Sequence, residues 1–305
     1  MVAWSGLGRP SHYFSALIYD KEYCVLFIYR AVSTGGMLMI FRKATLRARR
    51  MICTVLIIGV AALGSVWQSV ALSEELTIAA ASDLNFAFKD LVAEYEKKTG
   101  VHVKLSLGSS GNFFSQISNG APFDLYFSAD IRYPQKLGEA GHALPGSLYK
   151  YAVGRIVLWT PMESKVDVQK GLDALADPAV KKIAIANPKH APYGRAAVEA
   201  MKYFKVYDRV KDKMVLGENV SQAAQFIESG ACDIGIVALS LALAPSMKTA
   251  GKYWQIPIES HPPLEQGAVI LKNAKNKEAA KQFLEFVRGS EGQEIMRRYG
   301  FTLPG

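Results

Sequence analysis

Four short stretches of this 305-residue chain set hydroxyl, amide or glycine residues where an apolar run gives way to a helical pattern. They are Ala80-Ala81-Ser82-Asp83, Gly108-Ser109-Ser110-Gly111-Asn112, Asn187-Pro188-Lys189-His190-Ala191-Pro192-Tyr193-Gly194 and Gly217-Glu218-Asn219-Val220. A helix start presents backbone N–H groups without intrahelical partners and carries about half a positive charge, so it holds an anion without any cationic side chain. Each turn alone is better explained by capping, because Ser82, Asp83, Ser109, Ser110 and Asn219 are preferred N-cap types. Four of them at the same end of successive units exceed what capping requires. Whether they meet is a tertiary question.

Other chemistries find less support. Gly108-Ser109-Ser110-Gly111 is not the Gly-x-Ser-x-Gly elbow of a hydrolase, and no histidine stands near a serine and a carboxylate in a recognisable order. His102 falls on the polar face of a strand, and His142 and His261 sit beside Gly141 and Pro262. These three read as surface residues, and His190 reads as orienting its loop. Asp83 reads as a helix-start carboxylate facing solvent or the macrodipole. His, Cys and carboxylates do not cluster at the spacing a cation site needs, so no metal bound by side chains and no cofactor are expected. Beyond Cys24 and Cys53 there is only Cys232, which excludes an internal disulfide in the later chain and reads as a buried, inert thiol. A hydrolytic enzyme stays open as an alternative.

The elements that must position these turns follow from hydrophobic period. Leu76–Ala80 is an apolar strand, and Leu84, Phe88, Leu91, Val92 and Tyr95 recur at helical spacing up to Gly100. Val101, Val103, Leu105 and Leu107 alternate with polar residues as a strand with one wet face. A helix from Phe113, a strand over 123–128 and a helix over 131–140 follow, then a single long apolar strand over 151–160 ended by Pro161. The alternation restarts with strands at 182–186, 213–216 and 233–239 and helices at 195–203 and 221–228. Strands at 253–258 and 267–271 and helices at 278–287 and 291–299 close the chain. Strands separated by helices imply an α/β fold in two lobes, with ligands bound at the carboxyl ends of strands in the cleft.

Charge separates the chain into unequal parts. The net charge is +9, from 36 Lys and Arg against 27 Asp and Glu, but residues 1–73 carry +6 of it and the remainder only +3. That remainder has no basic stripe to follow a phosphate backbone, so a nucleic-acid partner is excluded. Arg42, Lys43, Arg47, Arg49 and Arg50 precede an apolar block over 51–66, and small residues at Ala71 and Ser73 stand before Glu74. This is the order of a cleavable secretory signal, and the block is shorter than the roughly 20 residues of a membrane-spanning helix. Residues 37–73 are therefore expected to be a signal peptide. Residues 1–36 have no such logic and read as an unexplained leader or a misassigned start, with Met37 or Met51 as alternative beginnings.

The motif set resembles a known family. Ala79 to Leu84, the Gly108–Gly111 turn, Pro122-Phe123-Asp124-Leu125, Ser128-Ala129-Asp130, the 187–194 turn and Arg298-Tyr299-Gly300-Phe301 together are similar to the periplasmic molybdate-binding proteins of ABC importers, over 76–303. The resemblance implies a type II periplasmic binding fold of two lobes, each a mixed, mostly parallel sheet flanked by helices, with lobe 1 at 74–154 and 258–305 and lobe 2 at 155–257. Hinge crossings are expected near Val153–Arg155 and Ile256–Glu259. Ser82 and Ser109 match hydroxyls that grip the oxyanion from the first lobe, and Tyr193 and Val220 match backbone N–H donors of the second. Many members add a tyrosine after the strand matching Ile234–Val237; here Ala238 stands there, so the fifth contact falls to the Asp83 N–H or another donor. Molybdenum or tungsten would be held through oxyanion oxygens rather than by direct ligation. The implied protein is a monomeric, periplasmic, non-enzymatic receptor that delivers molybdate or tungstate to a membrane permease. Such ligands are fully deprotonated at neutral pH, so a site of donors alone satisfies them, whereas the proton of hydrogen phosphate would face a donor at a cost of about 1–3 kcal/mol. A receptor for sulfate, phosphate or another tetrahedral oxyanion remains the nearest alternative.

Overall fold

A computed structural model describes residues 75–303. The expected signal peptide, the leader before it and the alternative starts at Met37 and Met51 lie outside the described residues. Among the described residues, ten strands form two five-stranded sheets. The first has the order β2-β1-β3-β10-β4, from β1 (Glu75–Ala81), β2 (His102–Gly108), β3 (Leu125–Ser128), β4 (Tyr149–Gly154) and β10 (Leu264–Ile270). The second has the order β7-β6-β8-β5-β9, from β5 (Ile156–Pro161), β6 (Ile183–Ala186), β7 (Met214–Gly217), β8 (Ile234–Ala238) and β9 (Gly251–Gln255). Both repeat one plan: a central strand flanked by two parallel neighbours, then two antiparallel strands beyond. The sheets are thus mixed, with parallel pairing confined to the strands that alternate with helices.

Helices α1 (Asn85–Thr99), α2 (Ser110–Ser118) and α3 (Arg132–Glu139) belong to the first sheet. Helices α4 (Pro192–Tyr203), α5 (Tyr207–Val210), α6 (Val220–Glu228), α7 (Leu239–Ala242) and α8 (Pro245–Ala250) follow the strands of the second. Helices α9 (Lys277–Arg288) and α10 (Ser290–Arg298) return to the first, and Thr302 pairs with Val153 of β4. Each sheet has its own core. Phe88, Phe127 and Phe283 pack edge to face under the first, with ring centroids 4.8 to 6.1 Å apart. Trp159, Ile185 and Met201 lie within the core of the second. None of the described helices is long and apolar enough to cross a membrane.

The apolar run over 151–160 is not one strand but parts of two. It ends in the first sheet at Gly154, passes Arg155 and resumes in the second sheet at Ile156. Period alone does not separate the two strands, because apolar residues flank the crossing on both sides and only Gly154 and Arg155 interrupt them; the Arg155 carbonyl is taken up by Leu239 N–H at 2.9 Å. The chain returns over 256–263. The strand expected at 253–258 stops at Gln255, because Pro257 lacks a donor for the ladder and a short 3-10 turn, Ile258–Ser260, follows.

Candidate functional site

The four turns come together. The carboxyl ends of β1, β2, β6 and β7 lead within about five residues into helical turns, a short 3-10 turn after β1 and the starts of α2, α4 and α6 after the others, and Ser82, Asp83, Ser109, Tyr193 and Val220 all line one cavity between the sheets. Its volume is about 10 Å³, room for about one water-sized group and far below the ~300–1,000 Å³ of sites for drug-sized ligands. Among the described residues no lysine, arginine or histidine lines it. Ser110 and Val220 are the first residues of α2 and α6 and Tyr193 the second of α4, positions whose N–H groups have no partner within their own helix. Gly194 brings α4 onto the end of β6: a Cβ there would stand 2.1 Å from the Ala186 carbonyl oxygen. That contact fixes the neighbouring Tyr193 N–H at the cavity wall.

The profile of the bacterial extracellular solute-binding proteins matches residues 76–302 of this chain. The chain belongs to that family. This solute-binding protein is 40% identical over 228 residues to the molybdate-binding protein ModA of Rhodobacter capsulatus, covering 75% of this chain and 88% of the relative. It is 38% identical over 229 residues to ModA of Azotobacter vinelandii, covering 75% and 90%. The solved structure of the Azotobacter vinelandii periplasmic molybdate-binding protein superposes with a TM-score of 0.72 at 36% identity, covering 75% of this chain and all of that one.

Hydrogen bonds join the two sides of the cavity in this solute-binding protein. The Ser221 N–H and hydroxyl donate to the Ser82 hydroxyl and carbonyl oxygens at 3.3 and 2.8 Å, leaving the Ser82 hydroxyl proton for the cavity. The Ser240 hydroxyl donates to the Asp83 carbonyl at 2.7 Å, and the Gly111 N–H donates to the His190 carbonyl at 2.9 Å. Asp130 accepts from Arg195 Nη2 at 2.6 Å. Burial alone would raise the Asp130 carboxyl, but hydrogen bonds and charge from Arg132, joined by Arg195, hold it below the usual carboxylate range.

Ser109 behaves unlike Ser82. Its hydroxyl donates to the His190 carbonyl at 2.7 Å, while His190 Nδ1 lies 2.9 Å from the same Oγ and His190 Nε2 lies 3.6 Å from Glu218. A serine, a histidine and a carboxylate therefore do meet, which sequence order concealed because they come from three different turns. The hydroxyl has one proton, and it goes to the carbonyl, so Nδ1 carries the proton facing Oγ. The ring then holds the hydroxyl in place and cannot act as its base.

Two residue readings are corrected. Asp83 does not face solvent: it is 1% exposed, and its Oδ2 accepts from Tyr193 Oη at 2.9 Å and Gln266 Nε2 at 2.7 Å. Burial pushes its carboxyl up to about 6, against the lowering effect of those two donors. The local rule for a helix-start carboxylate fails because α4 and β10 close over it. His261 is also buried, with Nδ1 2.8 Å from the Pro262 carbonyl oxygen, and burial lowers its affinity for a proton. Gln266 was missed altogether, since an isolated glutamine in a strand carries no signal of its own. Among the described residues no three His, Cys, Asp or Glu side chains gather as a cation site.

Proposed function

We propose that this protein is the receptor of a bacterial molybdate importer, capturing the molybdate dianion outside the cytoplasmic membrane and handing it to an ABC permease. The observation that carries this reading is the meeting of four helix starts on one small cavity whose lining holds no cationic side chain. Such a site balances a dianion with backbone dipoles and hydroxyls. The family membership supports the receptor role, and the two molybdate-binding relatives support the same ligand. Ser82 donates its hydroxyl; Ser109, Tyr193 and Val220 donate from their backbone N–H groups, and Asp83 through its own N–H. Tungstate, of like charge and shape, is bound in the same way. The molybdenum is held only through oxygen.

The receptor acts as a monomer without enzymatic activity. Its lobes are 74–154 with 258–305, and 155–257, and it works in the periplasm after a signal peptide at 37–73 is removed. The anion settles on the first lobe, and the second lobe closes over it about the two crossings. Calorimetric titration of the mature protein against molybdate, tungstate, sulfate and phosphate in parallel tests the assignment. Molybdate and tungstate are expected to bind far more tightly than the other two. Phosphate or sulfate binding tighter than molybdate would replace the ligand and keep the site.

A further inference from the structure

A polar cluster lies beside the anion cavity and joins the two lobes. Tyr193, on α4 of the second lobe, reaches across so that its hydroxyl donates to Asp83 Oδ2 of the first. Gln266, on β10 of the first lobe, uses its amide group twice, donating to Asp83 Oδ2 at 2.7 Å and to Tyr193 Oη at 3.0 Å. All three side chains are within 3% of full burial.

Two features of the backbone are shaped to this cluster. The pairing of β10 with β4 slips between Gln266 and Gly267, a bulge that re-aims a side chain out of the regular alternation. Gly154, the last residue of β4 before the chain crosses between lobes, leaves the space in which the cluster sits. A Cβ at Gly154 would stand 2.2 Å from Tyr193 Oη and 2.7 Å from Gln266 Nε2. A bulge, a bare glycine and three buried polar groups drawn from both lobes are more than packing requires. Two acceptors of the cluster, Asp83 Oδ1 and Gln266 Oε1, find no protein donor. A partly satisfied buried network holds less firmly than a complete one, which suits a contact that must open again.

We propose that Asp83, Tyr193 and Gln266 form a closure latch, in which the Tyr193 hydroxyl docks between Asp83 and Gln266 as the lobes meet and sets how slowly the bound anion leaves. The three act as positioning residues through their side chains, separately from any N–H that touches the anion. The proposal rests on the oxyanion-receptor reading above.

Tyr193→Phe separates the two roles, because it removes the hydroxyl and keeps the backbone N–H. Gly154→Ala reads the same contact independently, since it keeps all three residues and displaces the Tyr193 hydroxyl and the Gln266 amide from the space they share. Both variants are compared with the unaltered protein by calorimetry with molybdate, by stopped-flow dissociation and by small-angle X-ray scattering with and without molybdate. Each is expected to bind at least tenfold more weakly, with the change in the dissociation rate, and to compact less on binding, while thermal unfolding without molybdate stays unchanged. Affinity within twofold of the unaltered protein and full compaction in both variants would overturn the latch and leave the receptor reading intact. Absence of binding of molybdate, tungstate, sulfate and phosphate alike by the unaltered protein would overturn the receptor reading itself, and the latch with it.

Discussion

The two halves of the cavity use different parts of the residue for the same task. The half built on the first sheet adds one side-chain donor, the Ser82 hydroxyl proton, to its main chain, while the Ser109 hydroxyl is turned to His190 and the Asp83 carboxyl to Tyr193 and Gln266. The half built on the second sheet presents main chain, from Tyr193 near the start of α4 and Val220 at the start of α6. In the first half residue identity carries the chemistry. In the second half backbone geometry carries it, and the side chain is free to serve another purpose, as the Tyr193 hydroxyl does.

The sharpest test of that contrast lies at Val220. Proline is tolerated at the first position of a helix, and Asn219 before it is already extended, at φ −150° and ψ 176°. Val220→Pro therefore deletes one N–H with little cost to α6. A hydrogen bond to a charged group contributes about 1.5–3 kcal/mol, so molybdate affinity should fall about 10- to 100-fold by calorimetry. Val220→Ala keeps the N–H and should stay within about twofold. Equal losses in both variants would show that the valine side chain matters and would break the comparison.

A smaller effect, on stability, is expected at Asp83. Its carboxyl is pushed up to about 6 in the closed fold from an ordinary 3.8, first by burial, against the donors Gln266 and Tyr193. Tyr151 and Tyr193, the titratable side chains facing it, are themselves held well above their usual range. Between about pH 4 and pH 6 the folded carboxyl keeps a proton that the unfolded chain has lost. Its contribution to stability therefore falls as pH rises through that window and is flat on either side. Each tenfold difference in proton affinity between the folded and unfolded chain is worth about 1.4 kcal/mol, so the full change is on the order of 1–3 kcal/mol. Urea unfolding of the molybdate-saturated protein should show Asp83→Asn gaining on the unaltered protein as pH rises from 4 to 7. Parallel curves for the two would place the Asp83 carboxyl in a more polar setting than its burial implies.

The smallest of the three belongs to Ser109. Because its hydroxyl proton is already committed to the His190 carbonyl, Ser109→Ala loses a contact between lobes and keeps the helix-start N–H groups. A three- to tenfold weaker molybdate affinity with an unchanged fold is expected. An unchanged affinity would mean that the contact from the Ser109 hydroxyl to the His190 carbonyl does not help to hold the anion-bound form.

Much of this protein could be read from its residues in order. Strand and helix alternation located nearly every element within a few residues, because a buried strand and an amphipathic helix have different periods. The exceptions share a cause. The run over 151–160 crosses between sheets with only Gly154 and Arg155 to break its apolar character, and the short helices at Leu239–Ala242 and Pro245–Ala250 are too brief to show a period. Site residues followed the same division. Ser82, Ser109, Tyr193 and Val220 stood out because helix starts after strands have their own composition. Gln266 did not, because its importance comes from a bulge and from two partners more than 70 positions away.

The sequence by itself determined the alternation of strands and helices, the donor-rich turns and the near balance of charge after residue 73, since each depends on neighbours along the chain. Only the tertiary structure decided that four turns share one cavity, that Asp83 is buried with Tyr193 and Gln266, and that Ser109 gives its proton to His190. Those outcomes depend on how two sheets face each other. That relation is set by contacts between residues far apart in the chain, where local composition carries no information.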